Sequence, residues 1–205
     1  MRVFLYFRRH YAGRMHSLGS TLPRRGLNAR QLETVGRLLD AGLALLEDSP
    51  YEDLTLRLIA AGANVSPATA YTYFSSKDHL FASLFWRQVA QTPEPELSGD
   101  AGERLRQTVR YIADVVGESP TVTEAATKSL LAADPDVGRI RVEIGTHWYG
   151  LFKAALGDDV DPAVLRALTF TFSGALLEAG MGVIAYDDLF DQLDAAVAVI
   201  ARGNV

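Results

Sequence analysis

Helical periodicity runs through almost the whole chain, and this feature most restricts the fold. Between residues 29 and 47 apolar side chains recur three or four positions apart, at Leu32, Val35, Leu39, Leu43 and Leu46. This spacing places them on one face of an α-helix. No segment of useful length alternates apolar and polar residues as a half-buried strand does. The sequence therefore predicts an all-α protein.

Breakers and caps divide the rest of the chain into further helices. Ser76 is expected to cap a helix that runs to about Gln91. The turn-rich sequence TPEPELSGDAG, residues 92–102, follows it and is typical of a domain boundary. Beyond that connection, apolar periodicity predicts helices near residues 101–116, 121–133, 136–156, 161–184 and 187–202.

Residues 55–73 have the spacing of a helix-turn-helix. Thr55 is expected to cap the short helix LRLIAAGA, and Ser66 to cap the next one. Pro67 would take the first helical position, where a missing backbone N–H costs nothing. Asn64 lies in the tight turn, which requires a left-handed backbone that asparagine tolerates.

The second of these short helices would present a small polar surface. The apolar side that packs the two helices together is supplied by Ile59, Val65, Ala70 and Phe74. The residues left facing outward are Pro67, Ala68, Thr69, Tyr71, Thr72 and Tyr73. Such a helix fits a major groove, and its hydroxyls can reach phosphates and base edges.

Charge is distributed unevenly along the sequence. Residues 1–80 hold 10 basic and 7 acidic side chains, net +3, and residues 81–205 hold 10 and 18, net −8, which sum to −5. A basic front and an acidic rear indicate a polyanion partner at the front. Residues 1–26 are interpreted as a flexible basic arm. This arm either reaches a neighbouring minor groove, stays disordered, or is an extension upstream of a truer start such as Met15.

The chain lacks the motifs of common enzyme and metal sites. It has no cysteine, no phosphate-binding glycine loop, no GxSxG and no HExxH, and its histidines show no metal-ligand spacing. Catalytic residues, a cofactor and a metal site are therefore not predicted. No apolar run suits a membrane span or a signal peptide, so we expect a soluble, cytoplasmic protein without a membrane partner.

From about residue 29 to residue 85 the sequence resembles the amino-terminal DNA-binding domain of TetR/AcrR-type transcriptional repressors. The resemblance is carried by Ile59, Ala60, Ala63, Val65, Ser66, Thr69, Tyr71, Phe74, Lys77 and Leu80. It implies an N-terminal three-helix helix-turn-helix DNA-binding domain, residues 27–75, with double-stranded DNA as partner. It also implies a C-terminal helical ligand-binding and dimerisation domain, residues 76–205.

Roles in DNA binding follow from the resemblance, position by position. Contacts to backbone phosphates are implied for Thr55, Thr69, Tyr71, Tyr73 and Lys77. Contacts to base edges are implied for Pro67, Ala68 and Thr72, beside Ser66 at the helix start. Arg57 is the candidate for a bidentate guanine contact, or else a surface arginine beside Glu52 or Asp53. For the two tyrosines the alternative is burial against the domain core, and for Lys77 it is an exposed charge.

The resemblance further implies a pocket in the second domain for a lipophilic small-molecule effector. The candidate lining residues are Trp86, Tyr111, His147, Trp148, Tyr149, Phe152 and Glu178. Aromatic residues at helical spacing are more often core, and Glu178 is either paired at an interface, ligand-facing or at an edge. The alternative is a helical DNA-binding regulator that a protein partner controls.

The resemblance also implies that the two closing helices form a four-helix bundle with their copies in a second subunit. The candidate dimerisation residues are Phe172, Gly174, Leu176, Leu189, Leu193, Val197 and Ile200. A homodimer also has a physical reason, because one short helix offers too little surface for tight, specific binding. Two copies would read a palindrome. The resulting hypothesis is a ligand-responsive repressor that binds a palindromic operator as a homodimer.

Overall fold

The computed structural model describes residues 27–202 of the chain, so the basic arm expected at residues 1–26 lies outside the described residues. Within that range the backbone forms nine α-helices and no strand, which confirms the all-α prediction. The helices are α1 (Ala29–Asp48), α2 (Leu56–Gly62), α3 (Pro67–Tyr73), α4 (Lys77–Gln91), α5 (Ala101–Gly117), α6 (Pro120–Leu130), α7 (Pro135–Leu156), α8 (Pro162–Gly180) and α9 (Leu189–Ala201). Single 3₁₀ turns precede α2 and α9, at Tyr51–Asp53 and Tyr186–Asp188. None of the described helices is both long and apolar enough to cross a membrane.

Side-chain oxygens cap the starts of α2, α3 and α4, as the sequence predicts. The Oγ atoms of Thr55, Ser66 and Ser76 each accept the backbone N–H three residues on, at 3.2, 3.1 and 3.0 Å. Each bond satisfies one of the N–H groups that a helix start leaves without a partner. Pro67 follows the Ser66 cap inside the first turn of α3. Local sequence therefore fixes where these three helices begin.

The turn between α2 and α3 depends on Asn64. Its φ of 55° lies in the left-handed region, which confirms the prediction made for this position. The N–H groups of Asn64 and Val65 donate to the carbonyls of Ala61 and Ala60, both at 3.0 Å. These bonds end α2 and direct the chain into α3.

The first compact unit contains the described residues 27–92 together with Lys128–Ile140. In it α1 packs against α2 and α4, and α2 packs against α3. Its buried core includes Leu38, Leu39, Ile59, Ala70, Phe74, Leu80 and Phe81. Gly42 allows α4 to approach α1 closely, because a Cβ at that position would lie 2.8 Å from Leu80 Cδ2.

The second compact unit contains Pro93–Thr127 and the described residues from 141 to 202. In it α9 packs against α5 and α8. Its buried core includes Leu105, Ile112, Phe152, Leu168, Phe172, Leu189 and Leu193. Gly180 lies so close to α6 that a Cβ there would be 2.7 Å from Thr127 Cβ.

The two packing units do not coincide with the functional domains that the sequence predicts, which divide at residue 75. That division separates the helix-turn-helix from everything after it, whereas packing keeps α4 in the same unit as the helix-turn-helix. The first unit also takes in the end of α6 and the start of α7. The functional boundary itself stays a prediction.

The predicted helix ends agree with the structure within about three residues, except at the end of α8. This helix ends at Gly180 and not at residue 184. Gly182, with φ of 74°, donates to the Ala179 carbonyl, and Val183 donates to the Glu178 carbonyl at 2.9 Å. This is a Schellman arrangement, in which a left-handed glycine satisfies the last carbonyls of a helix.

Candidate nucleic-acid interface

α3 presents a small exposed surface on the first unit. Its outward residues, which we call the α3 face, are Pro67, Ala68, Tyr71 and Thr72. Ala70, on the opposite side, is fully buried and anchors the helix. A helix of seven residues is about 10 Å long, which suits the width of a major groove.

Most hydroxyls on and beside the α3 face already have partners within the helix. Thr72 Oγ1 donates to the Ala68 carbonyl at 2.9 Å, and Ser66 Oγ lies 2.8 Å from Thr69 Oγ1. The Tyr71 side chain is 52% exposed, and its hydroxyl has no hydrogen-bond partner among the described residues. Tyr71 therefore keeps its full donor and acceptor capacity for a group outside the chain.

The two tyrosines expected to contact phosphates point in different directions. Tyr73 is only 6% exposed and packs in the core of the first unit. Its phosphate contact, through the hydroxyl at the end of the ring, stays a prediction. The alternative of burial against the domain core applies to Tyr73, and Tyr71 remains the outward tyrosine.

Arg57 on α2 is exposed, and among the described residues its guanidinium forms no hydrogen bond or ion pair. It is therefore not held by Glu52 or Asp53. Glu52 instead binds Lys128 Nζ at 2.8 Å, and this bond lowers the pKa of the Glu52 carboxyl. Arg57 and the nearby exposed Thr55 are available to an outside anion or base edge.

Lys77, at the start of α4, is engaged inside the first unit. Its Nζ donates to the carbonyls of Tyr51 and Glu52, at 2.9 and 3.3 Å, and lies 4.3 Å from the centre of the Tyr51 ring. Two of its three N–H donors are thus used by the turn before α2. A phosphate contact through the third donor stays a prediction.

In the second unit, two of the residues expected to line a pocket lie in one buried aromatic cluster. The Trp148 and Phe152 rings pack edge-on against Phe172, with centroids 5.4 and 6.3 Å away. Trp148 Nε1 is buried without a hydrogen-bond partner among the described residues. A buried indole N–H ordinarily has an acceptor, so the lack of one here is an exception to the rule that buried polar groups are hydrogen-bonded.

The other expected pocket residues are dispersed. Tyr111 is buried on α5, whereas Tyr149 and Glu178 are exposed, and Trp86 belongs to the first unit. His147 is half-buried, with its ring 5.0 Å from that of Trp148 and its Nδ1 3.9 Å from Glu94. Burial lowers the pKa of His147, and the Glu94 carboxylate opposes this effect.

Four of the seven expected dimerisation residues point into their own chain. Phe172, Leu189, Leu193 and Val197 are buried in the core of the second unit, so a second copy cannot reach them without rearrangement. Leu176 and Ile200 are half-buried, and Gly174 is exposed.

Sequence reasoning missed the apolar residues that are exposed on the last two helices. The large ones are Phe170, Leu177 and Val199, and we call them the α8–α9 patch. The seven-residue spacing of Phe170 and Leu177 was a usable signal, because it places them on one side of a helix.

Comparisons with known proteins agree with one another. The sequence profile described as "Bacterial regulatory proteins, tetR family" matches residues 38–84. The HTH-type transcriptional regulator Rv0767c of Mycobacterium tuberculosis is 40% identical over 179 residues, which cover 86% of this chain and 84% of that protein. The HTH-type transcriptional repressor KstR of Mycolicibacterium smegmatis is 32% identical over 133 residues, 62% of this chain and 65% of that protein.

Solved structures agree on the fold. A TetR transcriptional regulator from Rhodococcus sp. RHA1 superposes with a TM-score of 0.64 at 20% identity, over 82% of this chain and 97% of that chain. TylP, a tetR regulator from Streptomyces fradiae, gives a TM-score of 0.54 at 21% identity, over 84% and 92%. The exposed α3 face thus lies on a fold that these regulators share.

Proposed function

Because the chain belongs to the tetR family of bacterial regulatory proteins, we propose that it is a homodimeric repressor that binds a palindromic operator and responds to a lipophilic small molecule. The chain is a helix-turn-helix transcriptional regulator and not an enzyme. Repression is supported by its similarity to KstR, which is named a repressor. We propose that it acts in the cytoplasm, where bacterial DNA lies.

The observation that carries the proposal is the α3 face. It is a capped, outward helix surface in which the Tyr71 hydroxyl has no partner among the described residues. Arg57 adds an exposed cation on the preceding helix. Together they offer a hydroxyl for a phosphate, small apolar groups for thymine methyls and a guanidinium for guanine.

Dimerisation is supported by the α8–α9 patch. Phe170 is 69% exposed, and Val199 and Leu177 add further apolar surface on the same pair of packed helices. A second copy of the chain would cover this surface. Two α3 faces, one helical turn or more apart, would then read two half-sites of a palindrome.

The ligand response is supported by the cluster around Trp148. The buried aromatic rings of this cluster favour a lipophilic molecule, and the indole N–H would donate to one acceptor on that molecule. We propose that binding there changes the spacing of the two α3 faces. A useful response requires that the binding free energy of the ligand differ by a few kcal/mol between the two spacings.

A selection experiment tests the DNA-binding part. The purified chain would be mixed with sheared DNA of the source genome, and the bound fragments sequenced. We expect an inverted repeat whose half-sites are about one helical turn or more apart. Enrichment of no sequence would contradict the proposal, and so would a single half-site bound by one chain.

The ligand part has a separate optical test. The chain has two tryptophans, so Trp86→Phe leaves Trp148 as the only one. Aromatic, drug-like and fatty-acyl compounds that release the selected DNA fragment should also change the fluorescence of this variant. Release without any such change would indicate a site elsewhere. Release by a protein from the source cell, with no compound active, would favour control by a protein partner.

A further inference from the structure

The short link between α3 and α4 is bound by a carboxylate from a distant part of the sequence. Asp134 Oδ2 accepts hydrogen bonds from Ser75 Oγ at 2.8 Å and from Ser76 Oγ at 2.7 Å. Its other oxygen, Oδ1, accepts the Asp136 backbone N–H at 2.8 Å. One side chain therefore holds both serines of the link and the first turn of α7.

These bonds favour the ionised form of Asp134. Burial opposes its ionisation, but the hydrogen bonds from Ser76, Ser75 and the Asp136 N–H hold the pKa of its carboxyl below the ordinary value. Hydrogen bonds to an ionised acceptor are shorter and about twice as strong as bonds between neutral groups. The contact is thus among the stronger polar ties of the first unit.

A second tie joins the same distant segment to the other end of the helix-turn-helix. Ser129 Oγ lies 3.0 Å from the Tyr51 hydroxyl, which also binds Asp78 in the first turn of α4. Lys128 Nζ binds Glu52 beside Tyr51. Residues 128–134 therefore contact the turn before α2 and the link after α3, and these two points bracket the candidate DNA-reading helices.

We propose that Asp134 is a positioning residue for DNA binding. Through Ser75 and Ser76 its carboxylate fixes the direction in which α3 meets α4, and so the orientation of the α3 face. The inference rests on the proposed DNA-binding function. The competing explanation is a purely structural one, in which Asp134 only caps α7 through the Asp136 N–H.

Ser75→Ala separates the two explanations, because it removes one bond between Asp134 and the link and leaves the α7 cap intact. It also removes the 3.3 Å contact of Ser75 Oγ with His79 Nδ1. Asp134→Ala removes both bonds to the link and the α7 cap bond. The charge control is Asp159→Ala, since Asp159 is exposed in the second unit and has no partner among the described residues. Loss of a carboxylate by itself raises affinity for DNA, so a positioning effect has the opposite sign from a charge effect.

Affinities would be measured by fluorescence anisotropy on two labelled probes. One is a duplex selected from random-sequence DNA with the wild-type chain, and the other is a mixed-sequence duplex of equal length. We expect Asp134→Ala to weaken binding to the selected duplex about tenfold, and Ser75→Ala about threefold. Binding to the mixed-sequence duplex should change little in either variant. The thermal midpoint should fall in Asp134→Ala, which loses the α7 cap as well, and should change little in Ser75→Ala. Asp159→Ala should bind the selected duplex at least as well as wild type.

The double variant completes the test. Because the Ser75–Asp134 bond is already lost in Asp134→Ala, adding Ser75→Ala should cause a smaller further loss than Ser75→Ala causes alone. Wild-type affinity in both single variants would overturn the inference, and so would fully additive losses. An equal fall in affinity for both probes would also overturn it, by assigning Asp134 to folding alone. If the wild-type chain enriches no DNA sequence, the proposed DNA-binding function itself is contradicted. That outcome is distinguishable from the outcomes that overturn only the role of Asp134.

Discussion

At the scale of single residues, the α3 face allows a comparison between two tyrosines two positions apart. We expect Tyr71→Phe to weaken binding to all duplex sequences alike, by about 1 kcal/mol, because a phosphate contact carries no sequence information. Tyr73→Phe removes the same atom from a mostly buried ring and should weaken DNA binding less than Tyr71→Phe. Anisotropy titrations of both variants check this. An equal loss from Tyr73→Phe would mean that the outward surface is misassigned.

Arg57 should affect sequence preference more than general affinity. Arg57→Ala is expected to relax the preference at one base position by about 1–3 kcal/mol, since a bidentate guanine contact is lost. A panel of duplexes, each with one base pair changed, measures this. Arg141→Ala, an exposed arginine of the second unit, is the matched control. An unchanged preference in Arg57→Ala would remove its base-reading role.

His147 should make stability depend on pH. Burial lowers the pKa of His147 from the ordinary 6.5 in the folded chain, so below that pH the unfolded chain takes up a proton that the folded chain does not. Stability is therefore complete above about pH 6.5 and falls as the pH decreases towards the folded pKa. His147→Gln should reduce this dependence in urea denaturation below pH 6.5, and leave the dependence above pH 7.5 unchanged. If the free energy of unfolding changed with pH in the same way in the wild type and in His147→Gln, the pH dependence could not be assigned to His147.

At the scale of elements, two glycines in helices should respond oppositely to the same change. A Cβ at Gly180 would lie 2.7 Å from the Cβ of Thr127, a stiff β-branched residue, whereas a Cβ at Gly150 of α7 meets nothing within 4 Å. We expect Gly180→Ala to lower the free energy of unfolding by about 1–3 kcal/mol. Gly150→Ala should raise it by up to about 1 kcal/mol. Thermal or urea unfolding measures both, and a stabilised Gly180→Ala would show that α6 and α8 are not in close contact.

Helix starts were predictable because their causes are local. Thr55, Ser66 and Ser76 act on an N–H three residues away, and the left-handed turn needs only Asn64. The buried side of each helix was harder to predict, because both sides of α8 are apolar. Phe172 is buried and Phe170 is exposed, and the packing of α9 and α7 decides between them.

Contacts between distant residues left no sequence signal. Ser75 and Asp134 are 59 residues apart, and neither lies in a pattern that indicates the other. The same holds for Lys77, whose charge suggested a phosphate but whose ammonium binds two backbone carbonyls. The type and position of the candidate interface were therefore readable from the sequence, whereas the contacts that hold it in place were not.

At the scale of the whole molecule, the proposed dimer depends on the α8–α9 patch. Phe170→Asp should give a monomer, because a buried carboxylate without a partner is costly in an interface. Val142→Asp is the matched control, since Val142 is 68% exposed against 69% for Phe170 and lies on α7 of the same unit. This variant should remain a dimer. Sedimentation equilibrium at low micromolar concentration distinguishes the two.

A wild-type chain that sediments as a monomer would contradict the dimer and, with it, the palindrome. A dimer that persists in Phe170→Asp and dissociates in Val142→Asp would move the interface to the exposed side of α7. If Phe170→Asp is a monomer, its affinity should fall much more for the full operator than for a single half-site. Only a dimer can bind both half-sites of the operator at once.

The central claim is that the α3 face lies against a DNA duplex, and the salt dependence of binding tests it most directly. The affinity of the wild-type chain for its selected duplex would be measured over a series of salt concentrations. We expect the logarithm of the association constant to fall linearly with the logarithm of the salt concentration, with a slope of about −0.9 for each phosphate neutralised. The slope should be shallower for Lys77→Ala, which lacks the cation predicted to bind a phosphate. Absence of attraction to any duplex at low salt, or affinity that does not change with salt, would contradict the claim.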